Sequence, residues 1–260
     1  MFAQVLAAEF LKLRRGRVTW FSLAALSLGP LAIALMMWIV REPGRAAKLG
    51  LLGTKANLSG LTATWPAYFS MLTMVVGMGG MLLLAFVVAY IFGREYTEGT
   101  AKNLLALPVG RHWFALAKLV VAAVWWAVLV VAVLVEGFVL GAALALPGFT
   151  TTAAVAAVHD ALLAAAIAYL LVPVIAWIAM LGRGYLPPLG FAFAMLVLGD
   201  VFSHTGWAAW FPWSIVPQLI GAIGKPSTTV AAGSLAVVAL TFLAGIAATI
   251  AQLRWADNAQ

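Results

Sequence analysis

The sequence predicts an all-α membrane protein. Six transmembrane helices follow an N-terminal amphipathic interfacial helix, with a short cytoplasmic helix between spans two and three and an interfacial or re-entrant segment between spans five and six. Three observations carry this. Of 260 residues, 65% are hydrophobic and 9% charged, against about 45–50% apolar and about 25% charged in soluble domains. Apolar stretches recur near the roughly 20 residues that cross about 30 Å of hydrocarbon. The 15 basic residues gather at the ends of those stretches, so the net charge of +7 follows from membrane topology rather than nucleic-acid binding. The composition is too apolar for a disordered chain, and the 24 Gly and 11 Pro show no fibrous repeat. The cysteine count is zero, which excludes disulfides, thiolate metal sites and thiol nucleophiles. The whole chain, residues 1–260, reads as a single transmembrane domain.

Phe2, Val5, Leu6, Phe10 and Leu13 recur at helical spacing, with Lys12, Arg14 and Arg15 off that stripe. This predicts an amphipathic helix in the membrane interface. The apolar stretch after it is about 20 residues, longer than the roughly 7–15 of a signal-peptide core, so no cleaved leader is expected. Span one is predicted from Trp20 to Val40 and span two from Pro66 to Phe92. Pro66 sits in the first turn, where its missing N–H costs nothing. Span three, Trp113 to Leu146, is about 51 Å long at 1.5 Å per residue and must tilt, bend or project. Span four, Ala153 to Leu181, carries Pro173, where a kink is expected. Span five starts at Pro187–Pro188 and ends near Asp200, and span six runs from Thr228 to Leu253. Trp20, Trp38, Trp65, Trp113 and Trp255 fall at span ends, as interfacial anchors do.

Charge sets the orientation. Lys12, Arg14, Arg15, Arg17, Arg94, Lys102, Arg111, Lys118, Arg183 and Arg254 lie on one side, and Arg41, Arg45, Lys48, Lys55 and Lys225 on the other. The richer side is cytoplasmic, which places both termini inside. Enzyme signatures are missing: there is no HExxH and no GxSxG, and His112, His159 and His204 are scattered. No metal site or catalytic residue is expected. The string Gly221–Lys225 has the wrong spacing for a Walker A loop, with Pro226 where a Ser or Thr belongs.

The informative connection runs from Gly93 to Arg111. Gly99 breaks the preceding helix, and Thr100 is a fair N-cap for two turns that end at Pro108 and Gly110. Leu104, Leu105 and Leu107 give those turns an apolar side, suited either to a partner's groove or to the bilayer interface. The segment resembles the cytoplasmic loop of ABC-2 type transporter permeases. The residues that carry the resemblance are Glu95, Glu98, Gly99, Thr100, Leu104, Leu105, Pro108, Arg111 and Lys118. The opening, with Glu9, Lys12 and Arg15 before Trp20, is similar to that of the family's bacitracin and lantibiotic export permeases. The resemblance implies that the short helix is a coupling helix docking on a separate ABC ATPase subunit. It also implies two permease and two ATPase subunits, as a homo- or heterodimer of permeases. ATP and Mg would then be bound by the ATPase and no cofactor by this chain. The location implied is a bacterial plasma membrane, and the function is export of an apolar or amphipathic substrate such as a peptide antibiotic, with antibiotic resistance as the consequence.

The aromatic segment of Trp207, Trp210, Phe211 and Trp213, broken by Pro212 and Pro217, fits either a gate at the outer face or an aromatic belt. Glu136, in span three, and His159 and Asp160, in span four, are ionisable groups at membrane depth and so functional candidates. Counted from Ala145 and Thr152, Glu136 and His159 lie about 13 Å and about 10 Å deep, which allows a polar cluster if both face the seam. The same residues define the alternative function, a proton-coupled secondary carrier. Gly137 and Gly141 form a GxxxG that permits close helix approach.

Overall fold

The computed structural model describes residues 2–50, 62–100, 109–221 and 232–255. Among them, six helices are long and apolar enough to cross a membrane: Arg17–Arg41, Trp65–Thr97, Arg111–Ala143, Thr151–Leu181, Leu186–Ser203 and Ala232–Arg254. They are spans one to six, and a separate helix α1, Phe2–Arg15, precedes them. The start expected for span six at Thr228 lies outside the described residues, as do Leu104, Leu105, Leu107 and Pro108.

Two spans are interrupted. Span two runs as Trp65–Met74, a π-helical turn Val75–Gly79, and Gly80–Thr97. Span four breaks at Leu171, where Pro173 enters the first turn of the second half, Val172–Leu181. Pro173 has no N–H to donate, so the helix cannot run through unbroken. Its own carbonyl accepts from the Thr249 hydroxyl of span six at 3.1 Å. Gly245 lets span six approach this kink: a Cβ there would lie 2.8 Å from Val174 N.

Lipid tails give helices no hydrophobic reason to associate, so packing and interhelical hydrogen bonds must hold the bundle. The GxxxG supplies the packing for spans two and three. A Cβ on Gly137 would lie 2.6 Å from Leu72, and one on Gly141 2.5 Å from the Trp65 ring. Trp65 in turn meets Phe69, Phe138 and Phe149. Indole and phenol groups supply the bonds. Trp125 Nε1 donates to Ser22 Oγ at 3.0 Å, Trp126 Nε1 to Ala165 O at 2.9 Å, and Tyr169 Oη to Leu119 O at 2.9 Å. These tie span three to spans one and four.

The segment after span five folds inward. Two 3₁₀ turns, Ala208–Trp210 and Pro212–Ser214, lead into a short helix, Ile215–Leu219. Ile215, Val216, Leu219 and Ile220 pack with Ala164 and Ile167 of span four and Val238 of span six. A Cβ on Gly77 would lie 2.7 Å from Ile220, and Gly77 is about 18 Å along span two from Trp65. The aromatic residues therefore divide: Trp213 is buried, Phe211 is half-buried, and Trp207 and Trp210 are exposed.

Candidate functional site: an ion cluster at the root of the connection

α1 buries Val5, Glu9 and Leu13, one residue per turn or so along a single face. The apolar stripe read from the sequence is there, but a carboxylate sits in its middle. That face packs against the base of span three, where the Phe2 and Trp113 rings meet at a tilt, 5.0 Å apart, and Val5 meets Phe114 and Ala117. α1 thus packs on protein along this face.

Glu9 is tolerated because its charge is answered. Lys118 Nζ, on span three, donates to Glu9 Oε2 at 3.0 Å, to Glu95 Oε1 at 2.9 Å and to Ile91 O at 2.8 Å. Lys12 Nζ donates to Glu9 Oε1 at 2.6 Å and to Glu95 Oε1 at 3.0 Å. Two carboxylates and two ammonium groups alternate in a closed ring, with no net charge to desolvate. Lys118 is only 4% exposed, and Glu9 and Glu95 are buried with it. The Lys12 side chain is 37% exposed. Burial works against the ionised Glu9, but Lys118 and Lys12 outweigh it and hold its carboxyl below the usual carboxylate range. Burial likewise opposes the Lys12 charge, and its bond to Glu9 and the field of Glu95 reverse that, raising its pKa. A cavity of about 460 Å³ opens beside the ring, lined in part by Tyr90, Arg94, Glu98 and Thr100.

The ring stands where span two ends. Gly99 adopts φ +67, a left-handed conformation cheap only for glycine. Gly99 N donates to Tyr96 O at 3.2 Å and Thr100 N to Glu95 O at 2.9 Å, the paired bonds of a Schellman terminus. The same residue, Glu95, therefore caps the ring and closes the helix from which the 101–110 connection departs. Glu98 pairs with Arg94 at 2.8 Å. At the far side of the connection, Arg111 donates to Leu253 O of span six at 3.0 Å. Of the residues proposed for coupling, Glu95, Glu98, Gly99, Thr100 and Arg111 are thus placed on one end of the bundle. Sequence reasoning noted Glu9, Lys12, Glu95 and Lys118 one by one and missed the ring. The available signal was a glutamate on the apolar face of α1.

The intramembrane charges behave differently. His159 Nδ1 and Asp160 Oδ1 are 3.0 Å apart, with side chains 70% and 43% exposed. Among the described residues no hydrogen bond or ion pair joins either of them to Glu136. Adjacent positions on a helix diverge by about 100°, and here His159 is exposed while Asp160 is half-buried. Glu136 is half-buried and acts electrostatically on the buried Tyr68 hydroxyl, which has no hydrogen-bond partner among the described residues.

A family model described as ABC-2 family transporter protein matches residues 5–199, from the second residue of the α1 stripe to the last turn but one of span five. The chain belongs to the ABC-2 transporter family. It is similar to the bacitracin transport permease protein of Bacillus licheniformis, at 28% identity over 178 residues, 68% of this chain and 85% of that protein. No solved structure matches. This ABC-2 chain is a multi-pass membrane protein and a transmembrane subunit of an ABC transporter, a family whose ATPase is carried by a separate subunit.

Proposed function

We propose that this ABC-2 subunit forms half of an export pathway for an amphipathic substrate, a peptide antibiotic being the class the Bacillus licheniformis relative's name supports. Two such chains, identical or homologous, would work with two ATPase subunits that bind ATP and Mg. The termini would be cytoplasmic in a bacterial plasma membrane, and Leu104, Leu105, Leu107 and Pro108 would form the coupling helix.

The ion ring is the observation that carries this reading. It joins α1, the foot of span two and the foot of span three into one block at the root of the connection. A pull on that connection would act on two spans and the interfacial helix together, as switching between inward- and outward-facing states requires. A proton-coupled carrier would need a relay among Glu136, His159 and Asp160, and no bond links Glu136 to the other two.

The test is capture of a co-expressed ABC ATPase partner subunit by this chain. Leu104→Asp/Leu105→Asp should abolish capture while insertion stays normal, because a charge would have to be desolvated in an apolar groove. Undiminished capture with transport intact refutes the docking role. Robust ATP turnover by the isolated chain refutes the subunit assignment.

A further inference from the structure

A second cavity, of about 400 Å³, lies beside the ion ring where α1 turns into span one at Gly16. Its charged lining is Lys12, Arg15, Arg17 and Arg94, with Tyr90 between them and no carboxylate among its lining residues. Lys12 and Arg94 have acidic partners elsewhere. Arg15 and Arg17 have no ion pair among the described residues, and both are exposed. Four converging cations with two carrying no acidic partner call for an anion.

The same helix pair carries an apolar groove of about 490 Å³ deeper in the membrane. Leu26 and Gly29 of span one face Val75, Gly79 and Phe86 of span two, with Leu189 of span five at the edge. Phe86 lies one turn from Tyr90, and its ring meets Phe21 at 5.5 Å, so the groove begins directly below the basic cavity. Gly79 holds it open: a Cβ there would meet nothing within 4 Å. From Tyr90 to Gly79 is 11 residues, or about 16 Å of helix, close to one leaflet of a hydrocarbon core about 30 Å thick.

We propose that this seam is a binding site for an anionic phospholipid of the leaflet that meets α1, with its phosphate headgroup held by Arg15, Arg17, Lys12 and Arg94 and an acyl chain in the groove past Gly79. Charge complementarity selects the headgroup, and the one-leaflet length of the groove selects a lipid over a free anion. In the proposed orientation this is the cytoplasmic leaflet. Occupancy would brace α1 against spans one and two beside the ion ring.

The test is native mass spectrometry of the purified full chain in detergent, titrated with phosphatidylglycerol or phosphatidylcholine and challenged with inorganic phosphate. Phosphatidylglycerol should bind in preference to phosphatidylcholine. Arg15→Gln/Arg17→Gln should weaken it about 25-fold, at about fivefold per arginine, and the control Arg45→Gln/Lys48→Gln should not. Gly79→Phe should fill the groove and weaken the lipid about tenfold, the worth of burying about two methylene groups. Should Gly79→Phe fail to fold, Gly79→Leu reads the same groove. Equal binding of the two lipids, or an arginine variant no weaker than the control, overturns the proposal. So does full displacement by phosphate together with indifference to Gly79 substitution, which would mark an anion site only.

Discussion

Lys118→Met is the sharpest perturbation of the ion ring. Methionine keeps the length and apolar stem of lysine and removes the ammonium. The loss leaves Glu9 and Glu95 buried with only Lys12 between them, and it removes the bond that Lys118 now gives the Ile91 carbonyl at 2.8 Å, which keeps only its helix partner. Breaking a buried ion pair by deleting one partner costs about 3–5 kcal/mol. Lys12 still reaches both carboxylates, so the lower end of about 3 kcal/mol applies. For a chain of this size that is a fall of about 6–12 °C in the unfolding midpoint, read by fluorescence-detected size exclusion after heating in detergent. Lys12→Met should cost clearly less, because water reaches that ammonium. The double variant Glu9→Gln/Lys118→Met should be less destabilised than the two single losses added together, since each removes the other's stranded charge. A Lys118→Met protein within about 2 °C of the parent, with additive effects in the cycle, would refute the view that the ring holds this end of the bundle together.

Acid should release α1. The Glu9 carboxyl is held below the ordinary carboxyl value of 4.5, so its contribution is complete above that pH and is lost as pH falls through the lowered folded value. Lys12 is raised above 10.5, so its contribution is complete below that pH and is lost as pH rises through the raised value. Thermal midpoints measured across pH should fall at both extremes, and Glu9→Gln should remove the acid fall; an unchanged acid limb in that variant counts against the assignment. Gly141→Leu should destabilise by about 1–3 kcal/mol through overpacking against Trp65, whereas Gly233→Ala, where a Cβ meets nothing within 4 Å, should be neutral or stabilising in the same heating assay. Glu136→Gln should reduce substrate export in vesicles with folding intact if the carboxylate serves the pathway; unchanged export would remove that role. His159→Ala should shift stability by less than about 1 kcal/mol, the worth of an exposed pair, and a larger loss would show that its surroundings are more enclosed than its exposure indicates.

Composition by itself determined the all-helical membrane class, because about 20 apolar residues have few alternatives in lipid. Pro173 announced the break in span four, since a missing N–H acts locally. Gly99 announced the end of span two for the same kind of reason, and the Gly137–Gly141 pair announced a close approach without naming Trp65 and Leu72 as what would fill it. The π turn at Val75–Gly79 left no comparable mark. Depth along a helix is a one-dimensional quantity, so the sequence placed Glu136 and His159 at similar levels; azimuth and neighbour are three-dimensional, and the structure leaves His159 exposed and paired with Asp160. The ring of Glu9, Lys12, Glu95 and Lys118 belongs wholly to tertiary structure. Lys118 and Glu9 are 109 residues apart, and no local pattern encodes which buried carboxylate a buried ammonium will find. What α1 carried in its sequence was the need for a cation, a glutamate on an apolar face; only the packing of three elements at one end of the bundle decided which cation answers it.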